Sequence, residues 1–322
     1  MKTMLQIKNN QNPVIGILFL VFGLAAFSFQ DIIIKHFSGD YSAHQIVFFR
    51  CISALPILLI MTFFEGGIKC LKTDRLGWHV LRGLGGFFAY TCFYLCIASV
   101  PLGLATTLFF AAPLFVTVLA VIIFREIVDL SHWLALLVGF LGVLFALQPG
   151  AASVDPIAIL AVAASLFYSV QILITRHIGK SESGASLAFY SMLSFFLFSA
   201  ISYFIFGNGT FADGEYHPSL AFLVREWGMP SSQDLMLMGL CGVAATLGLY
   251  GIGQAYRLAP ASVASPFEYS SLFWAILWGF LFWNEIPTLT TVGGILLIIS
   301  SGLYILFKET KKSDKGKRLQ KS

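Results

Sequence analysis

Long apolar runs separated by short polar stretches dominate the chain. Ten such runs lie near residues 13–34, 43–64, 78–99, 103–124, 131–148, 156–178, 184–206, 235–257, 261–283 and 288–307. Each run is about 20 residues long, the length that an α-helix needs to span roughly 30 Å of hydrocarbon. Lipid offers no partners to backbone polar groups, so segments of this kind must be helical. The pattern predicts an all-α integral membrane protein with ten transmembrane helices.

The same layout occurs twice along the chain. At an offset of 159 residues the matched pairs are Gly83 with Gly242, Pro101 with Pro260 and Glu126 with Glu285, and at an offset of 141 they are Gln30 with Gln171 and His36 with His177. Each half holds five runs, and five is odd, so the second half must enter the membrane from the opposite side. The pattern predicts two inverted five-helix repeats, residues 1–150 and 151–310, followed by a basic tail, residues 311–322. Inverted repeats are a common design of secondary transporters.

Composition and charge agree with a membrane protein. The chain is 57% hydrophobic and 11% charged, whereas soluble domains carry roughly 25% charged residues. Seventeen of the 20 lysines and arginines fall on one side if both termini are cytoplasmic, and two fall on the other. This bias predicts an integral protein of the cytoplasmic membrane with both termini inside. Seven of the basic residues lie between Lys308 and Lys321, which favours orientation over nucleic-acid binding as the reason for the net charge of +4.

The cysteines give no sign of a metal site or another cofactor. Four of the five lie in apolar runs, and Cys92 and Cys96 are one helical turn apart in a predicted span. Metal-binding cysteines of zinc sites usually occupy aqueous loops or turns instead. We therefore interpret them as apolar filler and expect no cofactor.

An acid inside the ninth run is the clearest candidate for chemistry. Glu268 lies about 10 Å into the span at 1.5 Å per residue, and ionisable groups at that depth are costly. Its neighbour Pro266 would bend the helix, and Pro113 would do the same in the fourth run. A cation site or a proton-coupled gate would use Glu268 in this setting, with the two prolines as hinges. The alternative is a structural hydrogen bond to a neighbouring helix.

Arg50 lies at a similar depth in the second run and has two interpretations. Its planar fork would suit a substrate carboxylate or phosphate. Alternatively it pairs with Asp31, near the outer end of the first run, and neutralises both charges. Asp31 is therefore a candidate for coupling or gating, and Arg50 for substrate binding.

Amide and aromatic side chains complete the candidate set. The amides Gln30, Gln171 and Gln254 would either contact a solute across a cavity or bond one helix to another. The aromatic candidates for a flat or zwitterionic solute are Tyr90, Tyr94, Tyr250, Tyr269 and Trp274. Most aromatics in membrane spans pack or face lipid, so we expect about a third of them to touch a solute.

The duplicated pattern resembles the EamA-type branch of the drug/metabolite transporter superfamily over residues 13–307. In that family a proline precedes the closing glutamate of each copy by thirteen residues. Pro113 matches this before Glu126, whereas Leu272 stands at the corresponding place before Glu285. The second copy, PFEYSSLFWAILWG followed by FWNEIP, is similar to a subgroup that includes S-adenosylmethionine and riboflavin uptake carriers. The resemblance implies a central cavity lined by the first, third, fourth, sixth, eighth and ninth spans.

The sequence is compatible with two functions. The first is a secondary transporter that moves a small polar or amphipathic metabolite, such as an amino acid, a nucleoside-like compound or a vitamin, by alternating access. Its partners would be the solute, the lipid bilayer and coupled protons. The alternative is a membrane-embedded enzyme acting on a lipid-linked substrate, which would need clustered acids or histidines. His44, His79 and His132 fall in different regions, so we expect no enzyme.

Overall fold

A computed structural model describes residues 12–100, 102–147, 156–211, 214–283 and 289–319, and within these ranges the chain is helical and contains no strand. The α-helices are α1 (Pro13–His36), α2 (Ala43–Glu65), α3 (Leu76–Ser99), α4 (Leu102–Phe109), α5 (Ala112–Phe124), α6 (Leu130–Leu147), α7 (Ile159–Ile178), α8 (Gly184–Ser202), α9 (Pro218–Val224), α10 (Ser232–Leu258), α11 (Ala261–Ala264), α12 (Ser270–Trp283) and α13 (Leu289–Leu319). The closing Glu285 and the last tail residues, 320–322, lie outside the described ranges.

The helices follow the apolar runs. Within the described ranges, six stretches are long and apolar enough to cross a bilayer: Pro13–Gly39, Ala43–Glu65, Leu76–Ser99, Pro156–Ile178, Gly184–Gly207 and Ser232–Leu258. Shorter apolar helices occupy Ala112–Phe124, Leu130–Gly142 and Val292–Ile305. The fold is thus that of an all-helical membrane protein. The last helix, α13, continues to Leu319 and so includes residues 311–319 of the segment predicted as a basic tail.

The fourth and ninth runs are broken rather than continuous. In the fourth, α4 ends at Phe109 and α5 begins at Ala112, so that Pro113 lies in the first turn of the new helix. In the ninth, a 3₁₀ helix, Ser265–Tyr269, separates α11 from α12 and carries Pro266 in its first turn. A proline has no N–H to continue a helix but suits a first turn. Glu268 therefore lies on a 3₁₀ turn between two α-helices.

Small residues allow the closest pairs of helices to pack against each other. α1 packs antiparallel to α10, and a methyl group added at Gly16 or Gly23 would come within 3.1 Å of the carbonyl oxygen of Ala255 or Gly248, respectively. α3 packs against α7, α2 against α8, and α6 against α13. Glycine at such positions lets two helix backbones approach each other within a membrane.

Two glycine–serine contacts repeat within the bundle. A methyl group at Gly83 on α3 would overlap the side chain of Ser194 on α8. A methyl group at Gly242 on α10 would overlap the side chain of Ser53 on α2. The two glycines are 159 residues apart and the two serines 141 apart, the offsets of the sequence duplication.

The connection between α8 and α10 packs onto the bundle. Its helix α9 lies against α3 and buries Phe222 completely. The Arg225 guanidinium donates through Nη1 to the carbonyl oxygens of Ser38 and Tyr41 at 2.9 Å. This connection therefore covers the same end of the bundle as the turn between α1 and α2.

Candidate functional site

We define three polar clusters among the helices of the described residues. The Arg50 cluster consists of Gln30, Asp31, Arg50, Tyr90, Tyr94 and Phe195. The Glu268 cluster consists of Tyr168, Tyr256 and Glu268. The Glu65 cluster consists of Glu65, Ala185, Tyr250, Gln254 and Arg257.

The Arg50 cluster joins four helices around a buried guanidinium. Arg50 on α2 is 1% exposed, and its Nη1 donates to the Tyr94 hydroxyl on α3 at 3.1 Å. Gln30 on α1 donates through Nε2 to the same hydroxyl oxygen, also at 3.1 Å. The guanidinium carbon lies 5.1 Å from the ring centre of Tyr90 and 5.7 Å from that of Phe195 on α8. Cation–π contacts of this kind favour the charged guanidinium.

The polar groups of this cluster are not all paired. Among the residues that the structure describes, the basic and acidic side chains in close contact are His79 with Glu182 and Lys308 with Asp129, so Arg50 has no carboxylate in direct contact. Asp31 is half-buried and near enough to Arg50 to interact electrostatically. Arg50 Nε and Gln30 Oε1 are buried without a hydrogen-bond partner in this part of the chain. Unpaired groups of this kind are costly and often mark functional sites.

The Glu268 cluster ties the break in the ninth run to two other helices. Glu268 is 4% exposed, and its Oε1 accepts hydrogen bonds from the hydroxyls of Tyr256 on α10 and Tyr168 on α7, the latter at 3.3 Å. The Tyr168 ring contacts Phe109 at the end of α4, with ring centres 5.4 Å apart. Tyr90 lies within electrostatic range of both Tyr168 and Arg50. The Glu268 and Arg50 clusters are therefore neighbours.

The Glu65 cluster joins the ends of three helices. Glu65, the last residue of α2, accepts from the backbone N–H of Ala185 in the first turn of α8 at 3.0 Å. Its other oxygen accepts from the Tyr250 hydroxyl at 2.7 Å and from Gln254 Nε2 at 2.8 Å, both on α10. Arg257 donates to Gln254 Oε1 at 3.2 Å. A carboxylate at a helix N-terminus is favourable, because the exposed N–H groups there carry partial positive charge.

The sequence-predicted residues fall into separate places. Gln30, Arg50, Tyr90 and Tyr94 come together, whereas Tyr250 and Gln254 lie in the Glu65 cluster and Glu268 in its own.

The three remaining candidates pack between helices. A methyl group at Gly86 would lie 2.7 Å from Gln171 Nε2, which places Gln171 between α3 and α7. Tyr269 is buried against Phe110, with ring centres 5.7 Å apart. Trp274 donates to the Val21 carbonyl oxygen at 3.0 Å. Binding roles for these residues stay predictions.

Sequence reasoning missed several residues of these clusters, among them Glu65, Tyr168 and Phe195. Glu65 carried a usable signal, since it is an acid at the end of an apolar run. Tyr168 and Phe195 carried none, because aromatic residues are frequent throughout the runs. Within the described ranges, no group of His, Cys, Asp and Glu side chains is arranged to hold a metal ion.

Comparisons with known proteins identify the relatives of this chain. The model of the EamA-like transporter family matches residues 14–148 and again 155–307. An S-adenosylmethionine uptake transporter of Rickettsia prowazekii is 27% identical over 92% of this chain and 94% of its own length. A riboflavin transporter of Vibrio cholerae is 25% identical over 96% of this chain and 98% of its own.

A solved structure shares the fold. It is described only as the crystal structure of a protein, is 13% identical, and superposes with a TM-score of 0.69 over 90% of this chain and 95% of its own. The named relatives are transporters, and the family model covers most of both halves of the sequence. This chain is an integral membrane protein and belongs to the EamA-like transporter family.

Proposed function

We propose that this protein is a secondary transporter that moves a small polar or amphipathic metabolite across the cytoplasmic membrane by alternating access. The observation that carries the proposal is the pair of neighbouring polar clusters inside the bundle, around Arg50 and Glu268. Polar groups at this depth are costly and are retained where a solute or ion passes. The Arg50 cluster keeps an unpaired donor and an unpaired acceptor, which a solute would satisfy.

An inverted repeat of five plus five spans would supply the two states of alternating access, one open to each side of the membrane. If the two halves of the sequence are exchanged, α1 takes the place of α7 and α10 takes the place of α3. The α1–α10 pair therefore corresponds to the α7–α3 pair, and the helices of both pairs are in contact. The same exchange converts the Gly83–Ser194 contact into the Gly242–Ser53 contact. The family model likewise matches residues 14–148 and 155–307 in turn. These correspondences support two repeats, residues 1–150 and 151–310, that rock around a central site.

The Glu65 cluster would close one end of the transport path. It links α2, α8 and α10 through the hydrogen bonds of one carboxylate. The lysine and arginine distribution supports a cytoplasmic position for this end. The structure then corresponds to a state in which the cytoplasmic end is closed, and transport requires these bonds to break and reform.

Glu268 is our candidate for coupling. Its carboxylate accepts from two tyrosine hydroxyls at a helix break, where Pro266 and Pro113 would act as hinges. Burial disfavours the charged form of a carboxyl group. A carboxyl that meets water alternately on each side of the membrane would therefore load and release a proton in each cycle.

Relatives suggest which solutes to test first. S-adenosylmethionine and riboflavin, named for two of them, each contain a flat heteroaromatic ring. Tyr90, Phe195 and Tyr168 place aromatic rings within the two clusters, and stacking on such a ring would hold a flat solute.

The test is uptake of radiolabelled S-adenosylmethionine and riboflavin into proteoliposomes, with and without an imposed proton gradient. We expect saturable uptake of at least one compound, stimulated by the gradient and absent from protein-free liposomes. Monodisperse, correctly inserted protein that neither takes up nor exchanges any solute of a wider metabolite panel would overturn the proposal. Chemical conversion of a lipid-linked substrate under the same conditions would instead support the enzyme.

A further inference from the structure

A groove runs between α6 and α13, and the two helices are tightly packed at one end of it. There, a methyl group added at Gly142 of α6 would come within 2.9 Å of the carbonyl oxygen of Gly294 on α13. Nearer the start of α6, the two helices leave a cavity of about 270 Å³ between them. Leu134 and Tyr304, which line this cavity from either side, are 53% and 51% exposed. The cavity therefore opens onto the outer surface of the bundle, where a membrane places lipid.

The walls of this groove suit a hydrocarbon chain. On α6 its lining includes the apolar side chains of Ala135 and Val138. On α13 the Ser300 hydroxyl donates to the carbonyl oxygen of Leu297 at 2.9 Å. The neighbouring Ser301 hydroxyl donates to the carbonyl oxygen of Ala135 at 2.5 Å. Since both hydroxyl groups donate within the fold, an acyl chain can cover them without leaving a donor unpaired.

A lysine lies at the mouth of the groove. Lys308, one helical turn beyond Tyr304 on α13, contacts the Ser131 hydroxyl at the start of α6. Its Nζ also lies 2.7 Å from Asp129 Oδ2, and the Lys308 and Asp129 side chains are 27% and 40% exposed. An ammonium group has three hydrogen-bond donors. These contacts use two of them within the described residues, so one donor is left for a phosphate oxygen.

The chain beyond Lys308 supplies positive charge that Asp129 does not neutralise. Residues 308–321 hold seven basic and two acidic side chains, which give this segment a net charge of +5. Helix α13 continues to Leu319, so most of this charge lies on a direct helical extension of the groove wall. Basic segments next to the cytoplasmic end of a spanning helix attract anionic lipid head groups, and each Lys or Arg strengthens the attraction about fivefold.

This extension repeats the face of α13 that lines the groove. Ser301, Tyr304 and Lys308 follow one another at spacings of three and four residues, so they share one face of the helix. The same spacing continues with Lys311 and Lys315. A phosphate held by this row of positions would have its acyl chain in line with the groove.

We propose that the groove between α6 and α13 binds an anionic phospholipid, such as phosphatidylglycerol, in the cytoplasmic leaflet. One acyl chain lies in the groove against Ala135 and Val138, and the phosphate lies at its mouth beside Lys308 and Lys311. A zwitterionic lipid would fill the groove equally well but would gain less from the basic face. The choice of leaflet rests on the proposed orientation of the chain, whereas the site itself requires no transport activity.

Lipid titration of the purified full-length protein in detergent, followed by native mass spectrometry, tests this proposal. The probes are phosphatidylglycerol and phosphatidylcholine with identical acyl chains. We expect the native protein to bind phosphatidylglycerol at least about fivefold more tightly, the gain expected from one basic residue at the head group.

Two matched pairs of variants locate the bound lipid. Val138→Trp fills the groove and should weaken the binding of both lipids, whereas Leu137→Trp, at the adjacent exposed position outside the groove, should not. Lys315→Gln removes one charge from the groove face and should weaken phosphatidylglycerol binding about fivefold. Lys317→Gln removes the same charge from the opposite face of the helix, two residues further on, and should leave the affinity unchanged.

The outcomes separate a built site from a general attraction of lipid. Equal affinity of the native protein for the two lipids would overturn the proposal without any variant. Equal losses in Lys315→Gln and Lys317→Gln, or equal behaviour of the two tryptophan variants, would also overturn it. Displacement of the lipid by inorganic phosphate would show that no acyl chain holds it in the groove. Absence of transport for every solute would remove the proposed function and leave these lipid measurements unaffected.

Discussion

The repeated glycine–serine contacts make a quantitative prediction about packing. An alanine methyl group at Gly242 would overlap Ser53 Oγ and the carbonyl oxygen of Arg50, with the Arg50 carbonyl carbon 3.2 Å away. Part of the obstacle is helix backbone, which cannot rotate aside as a side chain can. Three residues earlier on the same helix, a methyl group at Gly239 would meet nothing within 4 Å. The two substitutions therefore differ in packing and hardly at all in helix propensity.

The expected difference follows from two effects. Replacing a glycine in a helix interior by alanine stabilises by roughly 0.5–1 kcal/mol, and both variants gain this amount. Overpacking of a well-packed interior costs about 1–3 kcal/mol, and only Gly242→Ala bears that cost. The free energy of unfolding should therefore be about 1–3 kcal/mol lower for Gly242→Ala than for Gly239→Ala.

Thermal unfolding in detergent, followed with a thiol-reactive dye, measures this difference. Cys51 and Cys241 are buried and form no disulfide within the described residues, so they react only as the protein unfolds. We expect a lower Tm for Gly242→Ala than for the native chain and for Gly239→Ala. Equal Tm values for the two alanine variants would refute the packing argument.

The matching contact in the other half allows a rescue experiment. At Gly83 the obstacle is the side chain of Ser194, whose Cα would lie 3.8 Å from the added methyl group. Ser194→Gly should therefore restore most of the stability lost in Gly83→Ala. Ser53→Gly should restore less in Gly242→Ala, because the Arg50 carbonyl remains. Equal rescue would contradict this difference.

Three further predictions concern topology and transport. A reporter that is active only outside the cytoplasm should work when inserted within residues 214–227 and fail when fused after Lys312, and the opposite pattern would overturn the orientation. Glu268→Gln should lose gradient-driven uptake but keep counterflow, since glutamine resembles the protonated acid and still accepts a hydrogen bond. Wild-type results in both assays would show that Glu268 serves only in packing. Glu65→Gln should speed hydrogen–deuterium exchange of the Ala185 amide by roughly tenfold or more, because charge-assisted hydrogen bonds are lost; unchanged exchange would show that this carboxylate does not close the path.

The bilayer explains why the helices could be predicted well. A spanning segment must satisfy its own backbone, so run length and apolar content suffice to find helices such as α1 and α10. Breaks within a helix are harder to predict, because Pro113 and Pro266 indicate an interruption but not its geometry. The 3₁₀ turn at Ser265–Tyr269 depends on partners such as Thr117, whose Oγ1 lies 2.9 Å from Ser265 Oγ.

The site was less predictable, because its members meet across long stretches of sequence. Gln30, Arg50 and Tyr94 were chosen singly, as an amide, a charge inside an apolar run and an aromatic residue, and the fold brings them together. Tyr269 was chosen as an aromatic candidate for solute binding, yet it packs against Phe110, because adjacent residues of a helical turn point in different directions. Depth in an apolar run thus predicts that a residue needs a partner, and only the fold identifies that partner.

The pairing of α1 with α10 also imposes a delay during synthesis of the protein. Chains are made from the N-terminus at roughly 5–20 residues per second, so about 10–50 seconds separate the emergence of these two helices. Until then, Gly16 and Gly23 must face lipid or a chaperone surface. Truncated chains that end before Ser232 would keep that face open. Such fragments should be preferred targets of membrane proteases, whereas the completed chain, with α10 in place, should resist them.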